Sequence, residues 1–343
     1  MRLATHLAIT GKRLHLPLLL VLVALTATAC GGVDWRKQTV SLQAAGYQFQ
    51  GTGIKPVGWN GSGVFIDEKT VVTNAHVAGK ALKMIGKDDY GTKYTFRQIL
   101  AYDGDLDIAV LKVQGTAEVD VLPLKERPDD PKDLRGNKVL AIGNTGGMGL
   151  SRYTGEVTNV VGKRSQENLV HSADISSGSS GGPLYDGDAG ELYGINKSIN
   201  LHLRQSFATP AWSVQKVVDK ARRAGGTDLT EAFKPAEFPM QLDVKRSFCL
   251  EPGQKIIAPV QVVGTADLVA AVKFQTENTP LFFGLVRGNS LMSKGVISKD
   301  LLAAWTLPGS GVYAAILVNP PQATAKACGA VGVGRMAWEK RIH

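Results

Sequence analysis

Residues 177–184 read SGSSGGPL, a pair of serines enclosed by glycines and followed by a proline. Two other segments precede it in the chain, VTNAHV at residues 72–77 and DLDIAVLK at residues 105–112. In chain order the three segments supply a histidine, an aspartate and a serine. A serine hydroxyl becomes a nucleophile when a neighbouring imidazole takes its proton, and a carboxylate that orients the imidazole completes the set. Together the segments predict acyl-transfer chemistry.

Each segment also has an ordinary interpretation when it is taken alone. His76 alone is typical of a structural histidine after a strand, and Asp107 alone is typical of a turn. Residues 178–182 could form a flexible linker, whereas a phosphate-binding loop would need a Lys-Ser or Lys-Thr pair that does not follow. The histidine and the aspartate are 31 positions apart, and the aspartate and the serine 73. This conjunction favours the catalytic interpretation.

The chain from about residue 50 to about residue 220 resembles the trypsin-like protease domain of the bacterial HtrA/Deg-type serine peptidases. The similar segments are GSGVFI at 61–66, AIGN at 141–144, YTGEV at 153–157, the serine segment itself, GIN at 194–196 and FATP at 207–210. The resemblance implies an all-β fold of two six-stranded β-barrels with the active site in the cleft between them. Short strands separated by glycine-rich turns agree with a barrel or sandwich.

The resemblance also implies a role for each residue of the three segments. Ser180 is expected to be the nucleophile, and His76 the general base that later protonates the leaving amine. Asp107 is expected to orient His76, with Asp105 as the competing candidate. The backbone N–H groups of Gly178 and Ser180 are expected to form the oxyanion hole, and glycine at 178 suits a turn that needs an unhindered backbone.

Substrate preference depends on three further residues. Asp174 lies six positions before Ser180, which in trypsin-like enzymes is the floor of the primary specificity pocket. A buried carboxylate there would favour Lys or Arg side chains. The alternative is the HtrA/Deg-type arrangement, in which Asp174 faces away. Asn196, the last residue of the GIN segment, and Ser198, two positions further on, are expected to bind substrate as well.

The composition limits the remaining function classes. The chain has 343 residues, of which 44% are hydrophobic and 20% charged, so neither a disordered chain nor a protein with many membrane spans is expected. The net charge is +9, but the basic residues are scattered, which favours a solvated surface over a nucleic-acid site. The sequence has no HExxH or CxxC motif, so no metal and no cofactor are expected.

The N-terminus has the layout of an export signal. A basic start is followed by the apolar residues 16–25 and by small residues, and this stretch is too short for a membrane span of about 20 residues. Residues 1–29 are therefore predicted to be a lipoprotein-type signal peptide, Cys30 the lipidated residue and residues 30–40 a tether. Ala27 stands where the usual lipobox has leucine. The alternative is an ordinary signal peptide that leaves Cys30 as a free thiol.

The organisation of the rest of the chain follows from its pattern. Residues 41–224 are expected to form the protease domain, ending in a helix at 211–224 with apolar residues at helical spacing. Residues 225–239 are polar, contain two prolines and are interpreted as a linker. Residues 240–343 are again rich in strand patterns, and a C-terminal β-rich, sandwich-like domain is expected there.

The C-terminal third departs from the HtrA/Deg type. No PDZ-like segment follows residue 225, although proteins of this type usually carry one. If Cys30 is acylated, Cys249 and Cys328 are the two cysteines left, and in an exported chain they can pair as a disulfide.

These observations predict an exported bacterial serine endopeptidase of the cell envelope. It is expected to be membrane-anchored through its lipid, to face the periplasm or exterior and to act on protein or peptide substrates. One alternative is a catalytically silent protease-fold lipoprotein that works as a binding or scaffold protein. Another places the main function in the C-terminal domain, as an adhesion module.

Overall fold

The computed structural model describes residues 33–340, apart from 188–189, 201–202, 264–266 and 276–278, together with residue 342. For residues 234–242 and 337–339 the description covers the backbone alone. The predicted signal peptide and Cys30 lie outside the described residues. Within the described part of the chain, no helix has the length and apolar character needed to cross a membrane.

The first six strands close into a barrel. The elements are α1 (Trp35–Gln38), β1 (Thr39–Gly51), β2 (Gly53–Asp67), β3 (Thr70–Thr73), α2 (Ala75–Ala78), β4 (Lys83–Lys87), β5 (Lys93–Asp103) and β6 (Ile108–Val113). Antiparallel pairing runs from β1 through β2, β3, β6, β5 and β4 back to β1. Inward-facing apolar side chains such as Leu42, Phe65 and Phe96 form its core, because successive side chains of a strand alternate between its two faces.

The second barrel is built from the next six strands. After a 3₁₀ turn at Pro131–Leu134 come β7 (Lys138–Gly143), a turn at Thr145–Gly147, β8 (Ser151–Val161), β9 (Asn168–His171), β10 (Pro183–Asp186), β11 (Leu192–Asn200), β12 (Gln205–Pro210) and α3 (Ala211–Ala221). These strands close in the order β10, β11, β12, β9, β8 and β7. An apolar cluster that includes Val64, Ile142 and Val214 joins both barrels to α3, so the barrels pack directly on each other.

All but one of the remaining described strands form two facing sheets, here called the C-terminal sandwich. The elements are β13 (Thr227–Asp228), α4 (Leu229–Ala232), β14 (Phe233–Leu250), β15 (Lys255–Val262), β16 (Asp267–Phe274), β17 (Leu281–Arg287), β18 (Ser290–Ile297), β19 (Leu301–Thr306), β20 (Gly311–Val318) and β21 (Ala327–Lys340). The sandwich comprises β14–β21: β15, β20, β17 and β18 form one sheet, and β19, β16, β21 and β14 lie in the other. Their inner faces share one apolar core that includes Val260, Leu285 and Trp305. The two barrels and this β-rich part confirm the predicted fold class.

One covalent bond links two strands of the sandwich, and strand pairing connects the sandwich to the first barrel. A disulfide joins Cys249 to Cys328 across β14 and β21. The hairpin of β1 and β2 extends out of the first barrel until Gln50 pairs with Trp305 of β19. Within the segment interpreted as a linker, the chain forms β13, which pairs with β5, as well as α4 and the start of β14.

Candidate active site

His76 lies in α2, a single helical turn that follows β3 directly. Its Nδ1 atom is 2.8 Å from Oδ2 of Asp107, and its backbone N–H donates to Oδ1 of the same carboxylate at 3.0 Å. The side chain of Asp107 is 13% exposed and that of His76 is 47% exposed. Because Nδ1 is hydrogen-bonded to a carboxylate, the neutral imidazole carries its proton on Nδ1. Its Nε2 atom is then able to accept a second proton. The pair therefore has the geometry of a general base with its orienting group.

Asp107 is held in an unusual backbone conformation. Its φ is +57°, a left-handed value that is uncommon outside glycine and that persists when surrounding contacts impose it. The Asn74 side chain donates to the Asp107 carbonyl at 2.9 Å, and the preceding carbonyl, of Leu106, accepts from Thr209 Oγ1 of the second barrel at 2.8 Å. Asp105 is exposed instead, and its backbone N–H is bonded to Asp103. The structure thus brings Asp107, rather than Asp105, to His76.

Ser180 lies in the loop between β9 and β10, here called the serine loop, and is packed against β2 of the first barrel. The Ser62 N–H donates to the Ser180 carbonyl at 2.8 Å. Gly181 has a φ of +86°, and a Cβ there would lie 2.2 Å from both the Ser62 carbonyl oxygen and Thr73 Oγ1. Only glycine allows this approach. The Ser180 hydroxyl donates to the Lys197 carbonyl at 3.3 Å, and no hydrogen bond joins it to His76 among the described residues.

Gly178 gives the serine loop its shape. Its φ is +94°, and a Cβ would lie 2.2 Å from the Asn144 carbonyl oxygen. Its own carbonyl accepts from the Ser62 hydroxyl at 2.8 Å. Over the described ranges, neither the Gly178 N–H nor the Ser180 N–H donates to a protein acceptor. Two unpaired backbone donors beside a serine are what an oxyanion hole requires.

The three residues expected to bind substrate differ in their exposure to solvent. Asp174 is exposed, so it lacks the burial that a basic-specificity pocket needs. Asn196 is fully buried; its N–H donates to the Gly182 carbonyl and its side chain to the Pro183 carbonyl at 2.9 Å. Its side chain therefore holds the serine loop rather than substrate, because a fully buried amide cannot reach a bound peptide. Ser198 is exposed on β11.

Sequence reasoning missed Ser62, which lies in β2 of the first barrel. Ser62 is fully buried, and its hydroxyl accepts from the Asn144 N–H and donates to the Gly178 carbonyl, each at 2.8 Å. The signal that could have found it is its position between two glycines. A Cβ at Gly61 would lie 2.6 Å from a methyl group of Val77, which shows how closely this strand approaches α2.

Burial shapes the electrostatics around the site. It raises the pKa of Tyr102 to about 12, and the nearby carboxylates of Asp107 and Asp103 add to the effect. Behind the serine loop, burial lowers the pKa of His171 to about 4. The Asn196 side chain acts in the opposite direction on the pKa of His171. Within the described ranges no group of three or more His, Cys, Asp or Glu side chains could hold a metal ion.

The part of the chain that carries this site is similar to known proteins. Residues 61–195 match the family model of the trypsin-like peptidase domain. Several of the curated proteins similar to this chain are named HtrA or Do-like proteases. The chain is 31% identical over 210 residues to Protease Do-like 1, chloroplastic, of Arabidopsis thaliana, covering 56% of this chain and 46% of that one.

Two further similarities concern one more curated protein and one solved structure. The chain is 30% identical over 187 residues to Serine protease HTRA4 of Homo sapiens, covering 52% of this chain and 38% of that one. The chain thus spans less than half the length of these two relatives. Among solved structures, the HtrA-type protease AlgW with decapeptide is similar with a TM-score of 0.47 and 21% identity, covering 62% of this chain and 70% of that one.

Proposed function

We propose that this chain is an exported serine endopeptidase that hydrolyses peptide bonds of envelope or extracellular proteins. The observation that carries the proposal is the carboxylate–imidazole pair of Asp107 and His76 next to a glycine-shaped serine loop. A serine and a base with its orienting carboxylate, brought together from different barrels, are what acyl transfer needs. The match of residues 61–195 to trypsin-like peptidase domains supports it.

In the proposed reaction, His76 takes the Ser180 proton as the serine oxygen attacks the scissile carbonyl carbon. Asp107 stabilises the imidazolium that forms. The N–H groups of Gly178 and Ser180 bind the oxyanion, and losing one such donor typically costs about 100-fold or more in rate. His76 then protonates the leaving amine. Water attacks the resulting ester by the same route and frees Ser180.

The proposal includes the organisation predicted from the sequence. A signal peptide at 1–29 and a lipid on Cys30 would place the enzyme on a membrane of the cell envelope. The protease domain at 41–224 and the C-terminal domain at 240–343 would then both lie outside the cytoplasm. Incorporation of a labelled fatty acid into the full chain, lost in Cys30→Ser, tests the anchor; equal labelling of both proteins would refute it.

A second candidate is a protein that kept the protease fold but acts by binding. The observation that favours it is the hydrogen bond from the Ser180 hydroxyl to the Lys197 carbonyl at 3.3 Å. A nucleophile that donates to a carbonyl is not donating to its base. The two candidates therefore differ in whether the Ser180 proton is transferred to His76.

Labelling of the mature protein with a fluorophosphonate probe decides between them. An activated serine with an open oxyanion hole reacts covalently at Ser180, and Ser180→Ala abolishes the signal. Thr145→Ser keeps a hydroxyl near the loop and is the matched control. No labelling of the wild-type protein, alone or with envelope extract, would refute the peptidase and leave the binding protein.

A further inference from the structure

The helical turn that carries His76 cannot fix its own position. α2 has four residues, and its N-cap residue, Asn74, makes no side-chain capping bond. Helices this short are not stable by themselves, so their position comes from tertiary contacts. At its start α2 is tied to Asp107 through His76, and the contacts at its other end decide how firmly the imidazole is held.

One of those contacts comes from the C-terminal sandwich. Lys80, two residues after α2, donates from Nζ to Oδ2 of Asp267 at the start of β16. The Asp267 side chain is 3% exposed, whereas that of Lys80 is 39% exposed. Lys80 has a φ of +60°, a strained value that persists when surrounding contacts impose it.

Asp267 is itself fixed by the sandwich and by the β1–β2 hairpin. Thr306 of β19 donates to Oδ1 of Asp267 at 2.7 Å. The Phe49 N–H of β1 in turn donates to the Thr306 hydroxyl at 3.0 Å. A carboxylate that is buried and bonded on both oxygens is a rigid attachment point.

The same hairpin also contacts α2 directly. The Trp59 indole N–H donates to the Val77 carbonyl at 2.8 Å. A Cβ at Gly46 would lie 2.7 Å from the Lys80 carbonyl oxygen and 3.0 Å from the Trp59 ring. The hairpin is therefore in close contact with the backbone at Lys80. This hairpin ends in the pairing of Gln50 with Trp305.

From these contacts we propose that the C-terminal sandwich positions the catalytic histidine, with Lys80 and Asp267 as the positioning residues. The proposal rests on the proposed peptidase function, and it states which contacts set the orientation of the catalytic histidine. The ion pair holds the end of α2 while Asp107 holds its start, so His76 keeps its orientation only when both are in place. Misplacement of a catalytic group by about 1 Å can cost up to about 100-fold in rate.

Asp267→Asn tests the proposal because it removes the charge with little change in shape. We expect kcat for a peptide substrate to fall about tenfold with KM within about twofold. Lys80→Arg, which keeps the cation, is expected to retain most of the activity, and the double variant Lys80→Met with Asp267→Asn to resemble Asp267→Asn. The matched control is Asp243→Asn, which breaks the Arg335–Asp243 pair between β14 and β21.

Hydrogen exchange supplies a readout that does not depend on activity. The N–H groups of residues 76–79 are all hydrogen-bonded, and we expect them to exchange faster in Asp267→Asn but not in Asp243→Asn. Unchanged exchange, or faster exchange with unchanged kcat, would overturn the proposal. If the wild-type protein proves inactive, the peptidase proposal fails, and unchanged exchange in Asp267→Asn would separately refute the attachment of α2.

Discussion

The two sides of the active site are held in different ways. The histidine side depends on side chains: Asp107 holds the imidazole and Trp59 the Val77 carbonyl. The serine side depends on backbone that approaches other backbone, at Gly178 and Gly181. We expect that side-chain contacts can be removed one at a time while the fold stays intact. In contrast, adding a Cβ at Gly178 or Gly181 would push the serine loop away from the backbone that it contacts. Substitutions should therefore separate catalysis from stability on the histidine side and couple them on the serine side.

The largest expected effect breaks the histidine side alone. Asp107→Asn places an amide against Nδ1, which moves the imidazole proton to Nε2 and removes the base. We expect the fluorophosphonate labelling rate to fall about 10⁴-fold while the urea midpoint changes little. Asp105→Asn is the matched control, since Asp105 is exposed and, among the described residues, makes no hydrogen bond to His76; it should label as the wild type does. Equal losses in both variants would show that Asp107 has no special role.

The serine side is tested by adding one methyl group. In Gly181→Ala the new Cβ meets backbone and a buried hydroxyl at 2.2 Å. We expect a loss of about 3 kcal/mol in unfolding free energy, from about 1 for the positive φ and about 2 for overpacking, together with loss of labelling. Urea unfolding and labelling rates measure the two effects.

Gly115→Ala is the matched control for that change. Gly115 has a φ of +90°, and a Cβ there meets nothing within 4 Å. It should lose about 1 kcal/mol and keep its labelling rate. If Gly181→Ala costs no more than Gly115→Ala, the close contact does not determine the serine loop.

His171 adds a pH dependence behind the serine loop. Burial lowers its pKa to about 4, whereas histidine in an unfolded chain titrates at about 6.5. Between pH 4 and pH 6.5 His171 is protonated in the unfolded state but neutral in the folded state. The contribution of His171 to the free energy of unfolding is therefore complete above about pH 6.5 and is lost as the pH falls toward 4. We expect a loss on the order of 3 kcal/mol, seen in urea midpoints at pH 7.5 and 4.5. His171→Leu should remove that decline, and an unchanged decline would contradict the assignment.

The sequence predicts those parts of the molecule whose chemistry needs one residue type. Ser180, His76 and Asp107 can be found because few side chains can do what they are expected to do, and Gly178 because a turn needs it. Exposure is different: the sequence does not show that Asn196 is fully buried and Asp174 exposed, because burial depends on which strands become neighbours.

Contacts between distant parts of the chain are the least predictable from sequence. Lys80 and Asp267 are 187 positions apart, and Phe49 and Thr306 are 257 apart. No local pattern signals either pair, since both depend on how far the β1–β2 hairpin extends. Ser62 is an intermediate case, because its neighbouring glycines indicate a close approach but not its partner.

Ser62 connects the two sides of the active site. It lies in β2 of the first barrel, which also carries His76, and its hydroxyl is hydrogen-bonded to the serine loop at Gly178. Ser62→Ala leaves the Asn144 N–H and the Gly178 carbonyl without their buried partner, and an unsatisfied buried group costs about 1–3 kcal/mol. We expect about 2 kcal/mol of destabilisation and slower labelling, because the Gly178 carbonyl fixes the loop that presents the oxyanion donors. Ser41→Ala, which removes a single hydrogen bond to the Lys87 carbonyl near the surface, should cost less than about 0.5 kcal/mol. If Ser62→Ala lowered stability with an unchanged labelling rate, the first barrel would support the fold of the serine loop without setting its catalytic geometry.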